Sequence, residues 1–363
     1  MYGLVFGGGG VRGAYQIGVW KALDEMKIKI SAVTGASIGA INAALFAQKS
    51  FKPVYKLWRE IAINDIISLP EDIQATDNLF DIKNIVKIFK EIHQNEGVDM
   101  TPLKELLTKI VNEDKIRKSP IDFGCTAYSI TERAEINIFK ADIPKGKLID
   151  YIMASASILG VKEIGKERFT DGGISNNMPV NMLVEKGYTD IITVNVKGAG
   201  VYKNINTAGC NIINIKYSEP TTGIMDFNKD GIEQSIAEGY LDCLKIFGRL
   251  EGESYYIKKD NTIRQFSSEI INGIEKAAEV FGVDRLRVYT FDELVKETMK
   301  AYRNIEKISE YVYTDAKEPI TLIPWLIERL EGRGNDFMKT KLELFGTNYD
   351  AASSILYFKR KMR

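Results

Sequence analysis

Val33-Thr34-Gly35-Ala36-Ser37-Ile38-Gly39-Ala40 is the stretch on which the reading of this chain turns. Its centre, Gly35-Ala36-Ser37-Ile38-Gly39, fits G-x-S-x-G, the pattern of a sharp strand-to-helix turn that lifts a serine hydroxyl out of a sheet. The glycines have a steric reason: bulky neighbours two positions from a strained serine collide with the crossing strand and helix. The flanks agree. Ser31-Ala32-Val33-Thr34 is short, uncharged and partly β-branched, as a buried strand is, and Ile38 to Gln48 is rich in Ala, Ile and Leu, which suits a buried helix. A serine nucleophile also needs a base, and the usual one is histidine. The chain has a single histidine, His93. Either that residue is the base or the chemistry runs on a different one.

Upstream, Gly3-Leu4-Val5-Phe6 reads as a strand running into Gly7-Gly8-Gly9-Gly10-Val11-Arg12-Gly13. A helical pattern follows, with Ile17, Trp20 and Leu23 on one face. Consecutive glycines let backbone N–H groups point at an anion, and the following helix N-terminus adds its dipole. Two uses fit: a dinucleotide phosphate site, because Gly8 to Gly13 formally matches G-x-G-x-x-G, or an oxyanion hole for acyl transfer. A dinucleotide unit wants a carboxylate near the end of its second strand to hold the ribose. Here no carboxylate lies between Lys27 and Gln48, and Ser37 stands in that place. The oxyanion use is therefore favoured. A glycine turn without a function is weaker still, since four consecutive glycines carry a large backbone-entropy cost.

The third signal is Asp171-Gly172-Gly173, followed by Asn176-Asn177-Met178-Pro179. A lone D-G-G is by default a turn. In this order and spacing, however, the glycine-rich loop with Arg12, the G-x-S-x-G at Ser37 and the D-G-G at Asp171 resemble the patatin-like phospholipases, in their bacterial form with Gly7 opening the loop. The resemblance covers roughly residues 3 to 184. It implies an α/β, three-layer fold with a mainly parallel central sheet flanked by helices. It makes Ser37 the nucleophile and Asp171 its base, with the amides of Gly8, Gly9 and Gly10 as the oxyanion hole. Arg12 would brace the loop or meet a lipid phosphate, and Gly35, Gly39, Gly172 and Gly173 would support the two turns. The A-S-x-A-x-P segment expected before the aspartate appears only loosely, as Ala154-Ser155-Ala156-Ser157-Ile158-Leu159.

A free aspartate, with a pKa near 3.9, is a far weaker base towards an alcohol than histidine. Burial beside the serine would raise its basicity, and the oxyanion amides would have to supply much of the rate, about 2.7–4 kcal/mol per donor. His93 closes a helical pattern with Ile82, Ile85, Val86, Phe89 and Ile92 apolar, at the edge of that face near the helix end. A histidine there is ordinarily a cap, so we expect no catalytic part for it. No metal is expected: there is no second histidine, and Cys125, Cys210 and Cys243 lack C-x-x-C spacing. No cofactor is implied.

With 45% apolar residues in 363, the chain can bury one large core and an accessory region. Lys+Arg and Asp+Glu are both 49, so no global charge draws it to nucleic acid. Scattered cysteines and a core strand starting by residue 3, which leaves no room for a signal peptide, lead us to expect a cytoplasmic protein with peripheral access to membranes or micelles. Ile30 to Gln48 is uncharged, but its Ser, Thr, Gly and Asn residues mark the buried elbow and not a membrane span. Residues 51 to 118 read as mainly helical, with Thr101-Pro102 a helix start, and in the resembling family this is where a cap over the site lies. Phe123 to Ser129 and Ala134 to Phe139 read as a hairpin, and Asp190 to Val196 and Asn211 to Tyr217 as buried strands. Glu253 to Lys258 would add a final strand, closing a catalytic domain over residues 1 to 260. Residues 261 to 363 would be a helical region, with a capping box at Thr290 to Glu293 and a basic end at Lys359, Arg360, Lys361 and Arg363.

The expected activity is hydrolysis of a phospholipid or lysophospholipid ester. A soluble carboxylesterase or thioesterase, or an acyltransferase, would use the same machinery. A nucleotide-binding protein using the glycine loop is the alternative from another class.

Overall fold

A computed structural model describes residues 1–68, 99–157, 160–309, 319–331 and 346–362, so His93 lies outside the described residues. The chain divides into two compact units, Met1–Cys243 and Leu244–Arg363.

The first unit opens with β1 (Tyr2–Phe6), α1 (Ala14–Glu25), β2 (Ile30–Ala36) and α2 (Ile38–Ala47), as the apolar runs predict. Then come α3 (Phe51–Glu60), α4 (Thr101–Ile110) and α5 (Glu113–Lys118), the described parts of the segment expected to be helical. The hairpin is β3 (Asp122–Ser129) and β4 (Ala134–Phe139), paired antiparallel from Gly124↔Phe139 to Ser129↔Ala134. After it follow α6 (Leu148–Ser155), β5 (Lys162–Ile164), β6 (Glu167–Asp171), α7 (Val180–Glu185), β7 (Asp190–Asn195), β8 (Asn211–Lys216) and α8 (Lys229–Ile246).

The strands form one sheet in the order β5-β6-β3-β2-β1-β7-β8, with β4 on β3. The run β3-β2-β1-β7-β8 is parallel, and β4, β5 and β6 are antiparallel additions. Parallel strands are covered on both faces, and β1 obeys: Leu4, Val5 and Phe6 have no exposed surface. From β1 the chain builds one side of the sheet and later returns to place β7 on the other. The carboxyl ends of β1 and β7 therefore flank a switch point, where open α/β sheets bind ligands, and the glycine loop that follows β1 lies at it.

The register at β3 decides how the motifs meet. Residues 124 to 126 pair with both β4 and β2, and residues 127 to 129 with both β4 and β6. So β2 and β6 share the β3 edge opposite β4. They approach it from opposite directions, since β2 is parallel to β3 and β6 antiparallel. Ala36 pairs with Thr126 and Asp171 with Ala127, so the two strands end against each other.

The second unit holds a small sheet of β9 (Leu250–Glu251), β10 (Tyr256–Lys258) and β11 (Val288–Tyr289), together with α9 (Ser268–Val280), α10 (Phe291–Ser309), α11 (Pro319–Glu331) and α12 (Thr347–Lys361). Its own core includes Ile257, Ile274, Phe291, Leu326 and Ile355. The expected box caps α10: Thr290 Oγ1 accepts the Glu293 N–H, and Glu293 Oε2 accepts the Thr290 N–H. The buried Glu275 carboxylate accepts the backbone N–H groups of Glu253, Ser254 and Tyr255, while burial pushes its pKa up. The boundary expected at residue 260 falls instead after Cys243. The strand expected at 253 to 258 is real over Tyr256–Lys258, but it pairs inside the second unit and not with the large sheet.

Candidate active site

Ser37 links β2 to α2 with φ 54° and ψ −129°, a conformation that costs a side-chain-bearing residue about 1–3 kcal/mol. Packing on both sides holds it there. A Cβ on Gly35 would lie 2.2 Å from the Gly39 carbonyl oxygen, and one on Gly39 would lie 2.2 Å from that of Phe6. Strand, turn and helix thus touch at backbone distance, which is why both glycines are needed. The Ser37 N–H donates to Ser155 Oγ at 3.1 Å, and the Ser37 carbonyl accepts the Ala40 N–H, starting α2. The loosely matching segment at 154 to 159 therefore supplies, through Ser155, a partner for the strained peptide.

Asp171 closes β6. Its Oδ1 accepts the Gly173 N–H at 2.7 Å, and Gly172 passes so near β3 that a Cβ would sit 2.2 Å from the Thr126 carbonyl oxygen. Burial of this 3% exposed carboxyl raises its pKa from 3.8 to about 6, against the opposing pull of hydrogen bonding from the Ser37 side chain and the Gly173 amide. Asp171 Oδ2 nevertheless has no partner at ordinary hydrogen-bond geometry. The serine–aspartate contact is therefore looser than a normal hydrogen bond.

The glycine loop corrects one expectation. The Gly8 N–H, expected in the oxyanion hole, already donates to the Asn177 carbonyl at 3.1 Å, and the Gly7 N–H continues the sheet by donating to Val194. A committed donor cannot also hold an oxyanion. Gly9 and Gly10 make no such bond among the described residues. Gly10 has φ +57°, and a Cβ there would lie 2.1 Å from the Ile224 carbonyl oxygen, so glycine is required. Arg12 braces the loop: its Nε donates to the Thr222 carbonyl at 2.9 Å and one terminal nitrogen to that of Lys197 at 2.7 Å.

Sequence reasoning missed a buried polar chain behind this loop. Gln16 Nε2 donates to the Gly7 carbonyl at 2.7 Å, and Asn42 Nδ2 donates to Gln16 Oε1 and to the Gly13 carbonyl. Trp58 Nε1 donates in turn to Asn42 Oδ1 at 3.1 Å. Polar residues at fully buried positions of two predicted core helices were the only signal for it.

Beside Ser37 opens an apolar pocket, lined among others by Ile38, Ile41, Trp58, Leu103, Ile224 and Phe227. Among the described residues Ser37 is the one hydroxyl in the lining, and no charged side chain contributes. Trp58, Ile61, Ile66, Ile67, Met100 and Leu103 form part of the wall, so the described helical segment does border the site. Among the described residues no group of three or more His, Cys, Asp or Glu side chains is placed to hold a metal.

Residues 4–184 match the model of a family described as patatin-like phospholipase. Curated relatives include the lysophospholipase NTE1 of Saccharomyces cerevisiae, 29% identical over 205 residues, covering 54% of this chain and 11% of the relative. The lysophospholipase NTE1 of Meyerozyma guilliermondii is 30% identical over 207 residues, covering 53% and 12%. This chain thus spans about a tenth of the length of these relatives, which are fungal and do not support the bacterial-type expectation. Among solved structures, VipD from Legionella pneumophila matches with a TM-score of 0.44 and 13% identity, over 99% of this chain and 86% of that one.

Proposed function

Residues 4–184 belong to the patatin-like phospholipase family, and from that premise we propose that the chain is a serine acyl hydrolase of lipid esters working through Ser37 and Asp171. The observation that carries the reading is a strained, nearly buried serine opening on an apolar pocket, with an aspartate of raised pKa as its neighbour. Asp171 takes the Ser37 Oγ proton as Oγ attacks the ester carbonyl. The Gly9 and Gly10 amides receive the developing oxyanion, each such donor contributing about 2.7–4 kcal/mol in a preorganised site. Asp171 then gives its proton to the departing alkoxide. In the second half it deprotonates a water that releases the acyl group, and Ser37 recovers its proton.

The pocket suits an acyl chain, because each buried methylene contributes about 0.8 kcal/mol and no charged side chain among the described residues lines it. Among the described residues the lining has no Lys or Arg to meet a nucleotide's phosphates. The names of the relatives make a lysophospholipid the first substrate to try. A carboxylester, thioester or acyl-transfer reaction would use the same groups. All three cysteines are free, in keeping with a reducing, cytoplasmic compartment. No helix among the described residues is long and apolar enough to cross a membrane. On this reading the substrate is met at a bilayer or micelle surface, without nucleic acid.

The test pairs fluorophosphonate labelling with lysophospholipid hydrolysis for wild type, Ser37→Ala, Asp171→Asn and His93→Ala. We expect Ser37→Ala to lose both, with turnover down on the order of 10⁴–10⁶-fold, Asp171→Asn to lose turnover, and His93→Ala to stay near wild type. Inactivation of a folded His93→Ala would overturn the dyad.

A further inference from the structure

Asn177 is 1% exposed and lies between the glycine loop and the Asp171 turn. Cβ atoms on Gly8 and Gly173 would lie 2.2 and 2.8 Å from its Oδ1, so one side chain fills the space that both motifs leave by using glycine. It holds Gly8 at both ends: its backbone carbonyl accepts the Gly8 N–H at 3.1 Å, and its Nδ2 donates to the Gly8 carbonyl at 3.2 Å. Carbonyl oxygens only accept, so the orientation of the amide is determined by this contact. The second Nδ2 hydrogen goes to the Tyr202 hydroxyl at 3.1 Å, and the Asn177 N–H to the Val201 carbonyl at 2.6 Å.

We infer that Asn177 is a positioning residue that aims the Gly9 N–H at the oxyanion. The inference rests on the acyl-hydrolase reading above. In a planar trans peptide the C=O of one residue and the N–H of the next point in opposite directions. Pinning the Gly8 carbonyl towards Asn177 therefore turns the Gly9 N–H away from it, and this amide is left without a partner among the described residues. Gln16 fixes the preceding peptide by its grip on the Gly7 carbonyl. A loop of four glycines has little conformational preference of its own, so the direction of its donors must come from outside the loop. Asn177 supplies it.

The test measures kcat and KM on a soluble short-chain ester, the fluorophosphonate labelling rate and thermal melting for wild type, Asn177→Asp, Asn177→Ala and Tyr202→Phe. Asn177→Asp keeps the shape but sets a carboxylate oxygen against the Gly8 carbonyl. Both Asn177 variants should lose about 10- to 100-fold in kcat, the scale of an angstrom-sized misplacement, with KM within about twofold. Labelling should slow in parallel. Wild-type kcat in a folded Asn177 variant, or a loss confined to KM, would overturn the inference. If neither variant folds, Tyr202→Phe decides: kcat reduced a few-fold at unchanged KM supports the role, and wild-type kcat refutes it. If the wild type neither labels nor turns over, the hydrolase reading fails and this inference with it. If the wild type does both and Asn177→Asp does so equally, only the inference fails.

Discussion

Ala36 and Asp171 face adjacent residues, Thr126 and Ala127, on one edge of β3, and reach them from opposite directions. The proposed nucleophile, Ser37, follows the first, and the proposed base is the second. Two segments more than 130 residues apart in sequence are thus brought together by backbone pairing. The side chains need only finish what the sheet begins.

Asp171 gives opposite pH effects on activity and stability. As a base it must be ionised, so kcat/KM should rise through about pH 6 and then level off. In folding, a carboxyl whose native pKa is raised from 3.8 to about 6 keeps a proton that the unfolded chain releases. The stability from that proton is complete below about 3.8 and is lost as pH climbs towards 6. The amide of Asp171→Asn keeps an acceptor for the Gly173 N–H without the charge. At pH 7 this variant should therefore be inactive yet more stable, by up to roughly 3 kcal/mol, with the gain gone near pH 4. Urea unfolding at the two pH values measures this, and a wild type at least as stable at pH 7 would contradict it.

Arg12 is tied to the carbonyls of Thr222 and Lys197, so its part is to brace the loop. Arg12→Ala should cost about 1–3 kcal/mol of stability and lower kcat/KM by the same factor for a lysophospholipid and for a neutral ester. A loss seen only with the phosphate-bearing substrate would reassign Arg12 to the head group.

Met225 is a half-buried part of the pocket wall. Met225→Trp should shorten the space for an acyl chain. We expect kcat/KM for a palmitoyl ester to fall about tenfold, the equivalent of losing roughly two buried methylenes, while a butyryl ester changes less than about twofold. Equal losses on both esters would show that the chain does not enter this pocket.

Much of this was legible in the chain itself. The G-x-S-x-G turn, the glycine loop and the β1, β2, β7 and β8 strands are local events, each set by a few neighbours whose sterics or burial admit little else. The same locality made Gly35 and Gly39 readable. Asp171 was found through motif order, yet the strand that carries it was not. Glu167-Arg168-Phe169-Thr170-Asp171 is short and mostly polar, and it becomes a strand because β3 offers an unpaired edge where β2 ends.

What only the tertiary structure decided is which loop amides are available. Each glycine of the loop carries the same N–H and no side chain, so nothing in Gly7-Gly8-Gly9-Gly10 distinguishes the committed donor at Gly8 from the Gly9 N–H, which has no partner among the described residues. That difference comes from Asn177, far along the chain, and from Gln16 behind the loop. The boundary between units was hidden for a related reason. A run such as Tyr256–Lys258 reads as a strand whichever sheet it joins, and its partners, Glu251 and Val288 among them, exist only once the chain is folded. Local sterics and burial determine the turns and the core strands from sequence alone, and non-local hydrogen bonding decides the added strand β6 and which groups are left for chemistry.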